Sequence, residues 1–336
     1  MRGAIRIFLC LGAVTAALVS GGPGTARSGP AAVMPAFRGA ARAFHVPVRL
    51  LLALGYVDTH WRMPSRPAAD GGYGVMNLTR AQLARAARLT RIDPRAARHD
   101  LRQNVRAGAA LLSALAPKRR AALSSWYEPL ARLGGQPLAD ETFLVLRRGA
   151  SATIRGERVR LEPARVATPR REAFASAAHA DYPLAHWLAA STADYTKANR
   201  PRSNPITMIV VHVTDGSYAG TLSWFRNPFA RATAHYVVRS SDGQITQMVR
   251  EKDVAWHAGN SAVNATSVGI EHEGWTYHCS WFTDAMYRSS AQLVAYLVTK
   301  YRIPVDRKHI IGHNEVPDPN HPGQFGGAGH HTDPGP

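Results

Sequence analysis

Ile206-Thr207-Met208-Ile209-Val210-Val211-His212-Val213 is a nearly continuous apolar run, the composition of a strand that has both faces covered. Downstream, Ala234 to Ser240 and Gln244 to Val249 flank Asp242-Gly243, a dipeptide that favours a tight hairpin because both of its residues tolerate positive φ. Ser267 to Ile270 is a third short strand, and Ile310-Ile311 a last one. Between these two, Thr283 predicts an N-cap with Asp284 in the first turn. The helix it opens carries Met286, Leu293, Val294, Leu297, Val298 and Tyr301 on one side, and Pro304 lies just past its end. From about residue 182 onward this predicts an α/β or α+β layered domain with one mixed sheet flanked by helices.

Upstream the pattern changes. Residues 35–128 read as a smaller, mainly α domain. Pro47 opens a helix carrying Leu50, Leu51, Leu54 and Val57. Gly71 to Gly74 interrupt the pattern, and a second helix is expected from Arg95 through Leu115. Residues 129–181 read as a connector in which Phe143 to Leu146 and Ala152 to Leu161 could pair as a hairpin. No internal repeat is evident.

The 336 residues suit two modest domains, and a hydrophobic share of 45% supplies material for packed cores. With 41 basic and 23 acidic residues the net charge is +18, which suits an anionic polymer. Arg is scattered beside Ala, as in Ala84-Arg85-Ala86-Ala87-Arg88, and no basic-plus-aromatic module appears, so nucleic acid is not the expected partner. Arg2 and Arg6, then the uncharged run Ile7 to Val19, then small residues ending near Thr25-Ala26 have the layout of a secretory signal peptide, residues 1–28. The run is short for a membrane span, so no stable anchor is expected after cleavage. Cys10 would leave with that segment, so no internal disulfide is expected. Oligomeric state has no signature in the sequence.

Polar residues stand where the strands end. His212 interrupts the central run, His313 follows Ile310-Ile311-Gly312, and Asp333 lies in His330-His331-Thr332-Asp333-Pro334-Gly335-Pro336. Two imidazoles and a carboxylate suit a catalytic zinc ion, because three protein ligands leave a fourth position for water. Zinc lowers the pKa of that water and polarises a carbonyl, as amide hydrolysis demands. The spacings, 101 and 20 residues, form no local signature, and His330 or His331 in place of Asp333 is the competing third ligand.

Several motifs occur in order: Val211-His212-Val213-Thr214-Asp215-Gly216, Ala234-His235-Tyr236, Ala255-Trp256-His257-Ala258-Gly259-Asn260, Val268-Gly269-Ile270-Glu271-His272-Glu273-Gly274, Gly312-His313-Asn314-Glu315 and Thr332-Asp333-Pro334-Gly335. Over roughly residues 182–336 they closely resemble the zinc-dependent N-acetylmuramoyl-L-alanine amidases, which share a fold with phage amidases and animal peptidoglycan recognition proteins. The resemblance implies a groove for a peptidoglycan strand with zinc at its floor, held by His212, His313 and Asp333. It implies Glu271 as the catalytic acid–base group, with Glu273 the rival on the same strand face. Many relatives carry a lysine where this chain has His331, and either side chain can stabilise an oxyanion; activity is expected to decline as His331 deprotonates. His235, Trp256, His257 and Asn260 are expected near the substrate, with core packing an equal reading for Trp256. Asp333 stands three residues before the last residue given, and a loose hold on it is expected. The implied function is a secreted or wall-associated amidase cutting between N-acetylmuramic acid and L-alanine, its partners peptidoglycan and anionic wall polymers. A non-catalytic peptidoglycan-binding module, or a bifunctional wall hydrolase, is the alternative.

Leu51-Leu52-Ala53-Leu54-Gly55-Tyr56-Val57-Asp58-Thr59-His60-Trp61, Gly72-Tyr73-Gly74-Val75-Met76-Asn77-Leu78 and Asn104-Val105-Arg106-Ala107-Gly108-Ala109 faintly resemble the lysozyme-like lytic transglycosylases. Active relatives carry a glutamate where Asp58 stands. The shorter side chain misplaces the carboxyl by about 1.5 Å, and about 1 Å can cost roughly a hundredfold in rate. The resemblance therefore implies a degenerate domain retained for glycan binding or packing.

Overall fold

The computed structural model describes residues 32–116, 122–167 and 180–335. The signal-peptide segment lies outside them. Six helices form the first region: α1 Val33–Phe44, α2 Val48–Thr59, α3 Arg80–Thr90, α4 Leu101–Leu115, α5 Tyr127–Gly134 and α6 Gln136–Arg148. Pro47 is the N-cap of α2 rather than its first residue. The helix expected from Arg95 starts only at Leu101, because the Asp100 side chain accepts from Gln103 N and caps it there.

The expected hairpin is corrected in one arm. Phe143 to Leu146 lie in α6, and the hairpin is β1 Ala150–Ile154 with β2 Glu157–Leu161. Phe143 and Leu146 face the helical core, a stripe the isolated four-residue run did not reveal. Ile154, Val159 and Leu161 pack into that same core, so the chain through β2 belongs to the helical unit and is no free connector. Within it, Asn104 ties the glycine motif down: Oδ1 accepts from Met76 N, and Nδ2 donates to Tyr73 O and Ala97 O. Gly74 has φ +69°, and a Cβ there would meet Asn104 at 2.3 Å, so only glycine fits.

The second region contains β3 His186–Trp187, β4 Tyr195–Thr196, β5 Met208–Val213, α7 Tyr218–Phe225, β6 Tyr236–Val238, β7 Ile245–Gln247, β8 Val254–Ala255, α8 Ser261–Thr266, β9 Ser267–His272, α9 Asp284–Tyr301 and β10 Ile310–Gly312. A six-stranded sheet runs β10-β5-β9-β6-β7-β3. Its pairs are parallel except β6 with β7, the hairpin turning at Asp242-Gly243. Thr283 caps α9 by accepting from Met286 N.

Strand alternation assigns the two faces. Ile209, Ile270, Tyr236 and Val238 pack with Met286, Leu293 and Leu297 of α9. Val237 packs on the other face with Leu222 and Phe225 of α7. His212 is therefore on the face opposite α9, and the parallel register pairs it with Glu271. His272 points the other way, its Nδ1 2.9 Å from the carbonyl of His212 and its Nε2 2.7 Å from Ser290 Oγ on α9.

The two regions share an extensive contact. Arg239, after β6, pairs with Glu141 of α6 and takes Asp242 bidentately at 2.7 and 2.8 Å. Ser223 Oγ donates to Gly134 O at 2.8 Å, and His60 stacks on Trp281 with ring centres 3.6 Å apart. No helix among the described residues is long and apolar enough to cross a membrane.

Candidate functional site

His212 ends the central strand, His313 follows β10, and Asp333 reaches both from the C-terminal turn. Their ligand atoms all lie within 4.8 Å of one another, and all three residues are buried. Nδ1 of His212 is 3.5 Å from Asp333 Oδ2, and Nδ1 of His313 is 3.2 Å from Asp333 Oδ1. Two donors at about 2.05 Å from a tetrahedral ion stand about 3.3 Å apart, so both separations match a shared ion. Asp333 is 6% exposed, its Oδ2 accepts from Val213 N, and its carbonyl accepts from Asn314 N. The expected loose hold is thereby corrected: two strand ends pin it. His330 is turned away toward Asp318, and His331 stacks flat on His313 with its Nδ1 3.7 Å from Asp333 Oδ1, outside the cluster; Asp333 is the third member.

A chain of hydrogen bonds sets the tautomer of His212. Ser267 Oγ donates to Val263 O at 2.6 Å, so its proton is used. The neighbouring His257 Nε2, 3.1 Å away, must then donate to Ser267. A neutral ring with its proton on Nε2 offers a lone pair at Nδ1. That atom lies 3.0 Å from His212 Nε2, which therefore donates. His212 Nδ1 is left with its lone pair facing the Asp333 carboxylate. Two acceptors facing each other call for a cation between them. Burial, with His313 close by, lowers the His212 pKa to about 4, so the ring is neutral. The two imidazoles facing it outweigh burial and hold the Asp333 carboxyl far below the carboxylate range. A neutral His212 beside an ionised Asp333 is the protonation state a divalent ion needs.

Glu271 borders the same cleft, of about 590 Å³, together with Asp215, Arg231, Trp256 and His331. Its Oε2 is buried and has no hydrogen-bond partner among the described residues, as is true of His313 Nε2. Burial first, then the charges of Asp333 and Asp215, push its pKa well up. Glu273 is not at the cleft: its two oxygens accept from Tyr218 N and Ser240 N at 2.9 and 2.7 Å, so it holds the start of α7. His331 stacks on His313 with centres 4.3 Å apart. Burial and His313 lower its pKa.

Of the four expected substrate contacts, Trp256 alone remains at the cleft with its ring available; its Nε1 donates to Thr196 Oγ1 at 3.0 Å. His257 touches the cleft wall but is buried, and serves His212; Gly269 admits it, since a Cβ there would meet its ring at 2.5 Å. His235 is fully buried, accepting from Gly269 N and packed 2.7 Å from Arg200. Asn260 caps α8 through Oδ1 and donates to Pro317 O. All three lie in motifs beside the site, and a motif position does not say which way a side chain turns.

Sequence reasoning missed the contribution of the helical region. Pro67, Ala69 and Asp70 line the cleft, and Ala69 N donates to Asp215 O at 3.1 Å. Asp58 is 3% exposed; burial, then Asp70, raise its pKa well above normal, while a hydrogen bond with the Ser217 side chain opposes this. The pocket of about 220 Å³ beside it also takes Gly220, Ser223 and Trp224 of the second region into its lining.

The fold and this constellation define a layered mixed-sheet domain with a candidate divalent-metal site at its strand ends. A model of the N-acetylmuramoyl-L-alanine amidase family (Amidase_2) matches residues 202–336. N-acetylmuramoyl-L-alanine amidase A of Achromobacter lyticus is 46% identical over 113 residues, 34% of this chain and 60% of that protein. The 1,6-anhydro-N-acetylmuramyl-L-alanine amidase AmpD of Haemophilus influenzae is 31% identical over 142 residues, 35% of this chain and 74% of that protein. Among solved structures, a mutant endolysin from Bacillus subtilis matches with 20% identity and a TM-score of 0.30, covering 38% of this chain and 82% of that one. The chain belongs to the N-acetylmuramoyl-L-alanine amidase family.

Proposed function

We propose that this protein is a secreted, zinc-dependent hydrolase of the amide bond between N-acetylmuramic acid and L-alanine in peptidoglycan. The observation that carries the reading is the buried trio of His212, His313 and Asp333 at a cleft that also presents Glu271. Those three residues would hold the ion. When bound, zinc supplies Lewis acidity, drawing the pKa of a water toward neutrality and polarising an amide carbonyl. Glu271 takes a proton from the attacking water and delivers it to the departing amine, and its raised proton affinity suits that carrier role. His331 donates a hydrogen bond to the oxygen that gains negative charge. Trp256, on the cleft wall, offers a ring face to the substrate. Secretion rests on the N-terminal charged and apolar segments, and the +18 charge suits retention on anionic wall polymers.

The helical region, on this reading, is a packing partner and cleft wall rather than a second enzyme. Asp58, the position of the glycan-cleaving acid in the resembling family, is buried against the amidase region. The test is digestion of purified peptidoglycan with and without a chelator. New alanine amino termini that vanish on chelation are expected, and their absence from the zinc-loaded protein sinks the proposal. Anhydro-muropeptides that disappear with Asp58→Asn would show a bifunctional enzyme instead.

A further inference from the structure

We propose that Asp318, His321 and His330 form a second divalent-cation site, separate from the catalytic trio, that braces the loop delivering His331 and Asp333. Their ligand atoms also lie within 4.8 Å of one another. The Asp318 side chain is fully buried, and its Oδ2 is bracketed by His321 Nδ1 at 2.9 Å and His330 Nε2 at 3.3 Å. These separations approach the roughly 3.3 Å edge of a tetrahedral ligand set. Oδ1 is engaged separately, accepting from Asn320 N at 2.7 Å, so the carboxylate is oriented with Oδ2 toward the two rings.

The backbone presenting these side chains is tied at several points. Asn260 Nδ2 donates to Pro317 O, Gly326 N and Gly327 N both donate to Val316 O, and Ala328 N donates to Gly259 O. His330 sits in the left-handed region at φ 49°, where it ends the helical turn Gly327–Gly329. Both imidazoles are about half exposed, at 59% and 47% of the side chain, so water can complete the coordination. Two imidazoles with one carboxylate favour zinc, nickel or copper over magnesium or calcium, which prefer all-oxygen sets. An ion here would cross-link the two ends of the loop between residues 318 and 330, just before His331.

The test is zinc stoichiometry of the full chain, stripped with chelator and then titrated with zinc alone, read by calorimetry and elemental analysis. Wild type is expected to bind two equivalents. His321→Ala is expected to lose one and keep the other. His313→Ala is expected to lose the other and keep the first. If the catalytic-site reading were wrong and this one right, wild type would bind one equivalent, lost in His321→Ala and retained in His313→Ala. A wild-type stoichiometry unchanged by His321→Ala overturns the proposal. Asp318→Asn, which keeps shape and removes the charge, repeats the measurement, and circular dichroism of each variant verifies the fold.

Discussion

His257→Phe tests the hydrogen-bond relay behind the candidate metal centre. The substitution keeps an aromatic ring in the space that Gly269 leaves open and removes both ring nitrogens. His212 Nε2, now 3.0 Å from its acceptor, would lose it at a site where His212 is 1% exposed. Leaving a buried donor unpaired costs about 1–3 kcal/mol, expected as a loss of stability in the metal-free protein. The larger consequence is for the tautomer. Without His257 the proton of His212 can move to Nδ1 and bond to Asp333, and an incoming ion must then displace it. Loss of such an orienting partner typically weakens metal binding by about 10–100-fold, or about 1.4–2.7 kcal/mol. Ser267→Ala, one link further back, should have the same effect with smaller size. The assay is zinc affinity by competition with a chromophoric chelator at one fixed pH, with unfolding measured in parallel. A zinc affinity within twofold of wild type, in a folded His257→Phe protein, would refute the reasoning.

Glu271→Gln should lower kcat/KM by about 10²–10⁴-fold while leaving zinc content unchanged; near-wild-type turnover would exclude it as the proton carrier. Glu141→Ala removes one partner of the buried Arg239 but leaves Asp242 and Gln244. The cost should be about 2–4 kcal/mol, at or below the usual penalty for breaking a buried pair, and denaturant melts should show the two regions losing stability together. A change confined to one of two separate transitions would contradict the shared interface. Burial raises the Glu273 pKa from 4.5 to about 7, so the folded state holds this proton more tightly than the unfolded chain. Its contribution is complete below about pH 4.5 and lost as pH rises through about 7, a decline of roughly 3 kcal/mol. Glu273→Gln cannot titrate, so its stability relative to wild type should improve by that amount over the same window; a pH-independent difference would count against this account.

Periodicity and turn chemistry were enough to read the sheet. The apolar run at Ile209 to Val213, Asp242-Gly243, and the Thr283 cap each encode their structure within a few residues, and each appears where expected. The trio His212, His313 and Asp333 was legible as a set of residue types joined to ordered motifs, because strand ends are where a sheet exposes such groups. What could not be read was direction. Glu271 and Glu273 stand two residues apart in one motif, yet only the fold shows that Glu273 is consumed by two backbone N–H groups. His235, His257 and Asn260 stand in the right motifs but turn to Arg200, His212 and α8. Phe143 to Leu146 carried no helical stripe in isolation, and became helix because α6 buries them in a core assembled from distant segments. The wall that Pro67 to Asp70 contribute to the cleft, and the burial of Asp58, depend on two regions docking. Local composition encodes elements, since propensity and patterning act over a few residues. Which polar atoms meet, and which are left unpaired for an ion or a substrate, depends on contacts between residues a hundred positions apart, and only tertiary packing sets those.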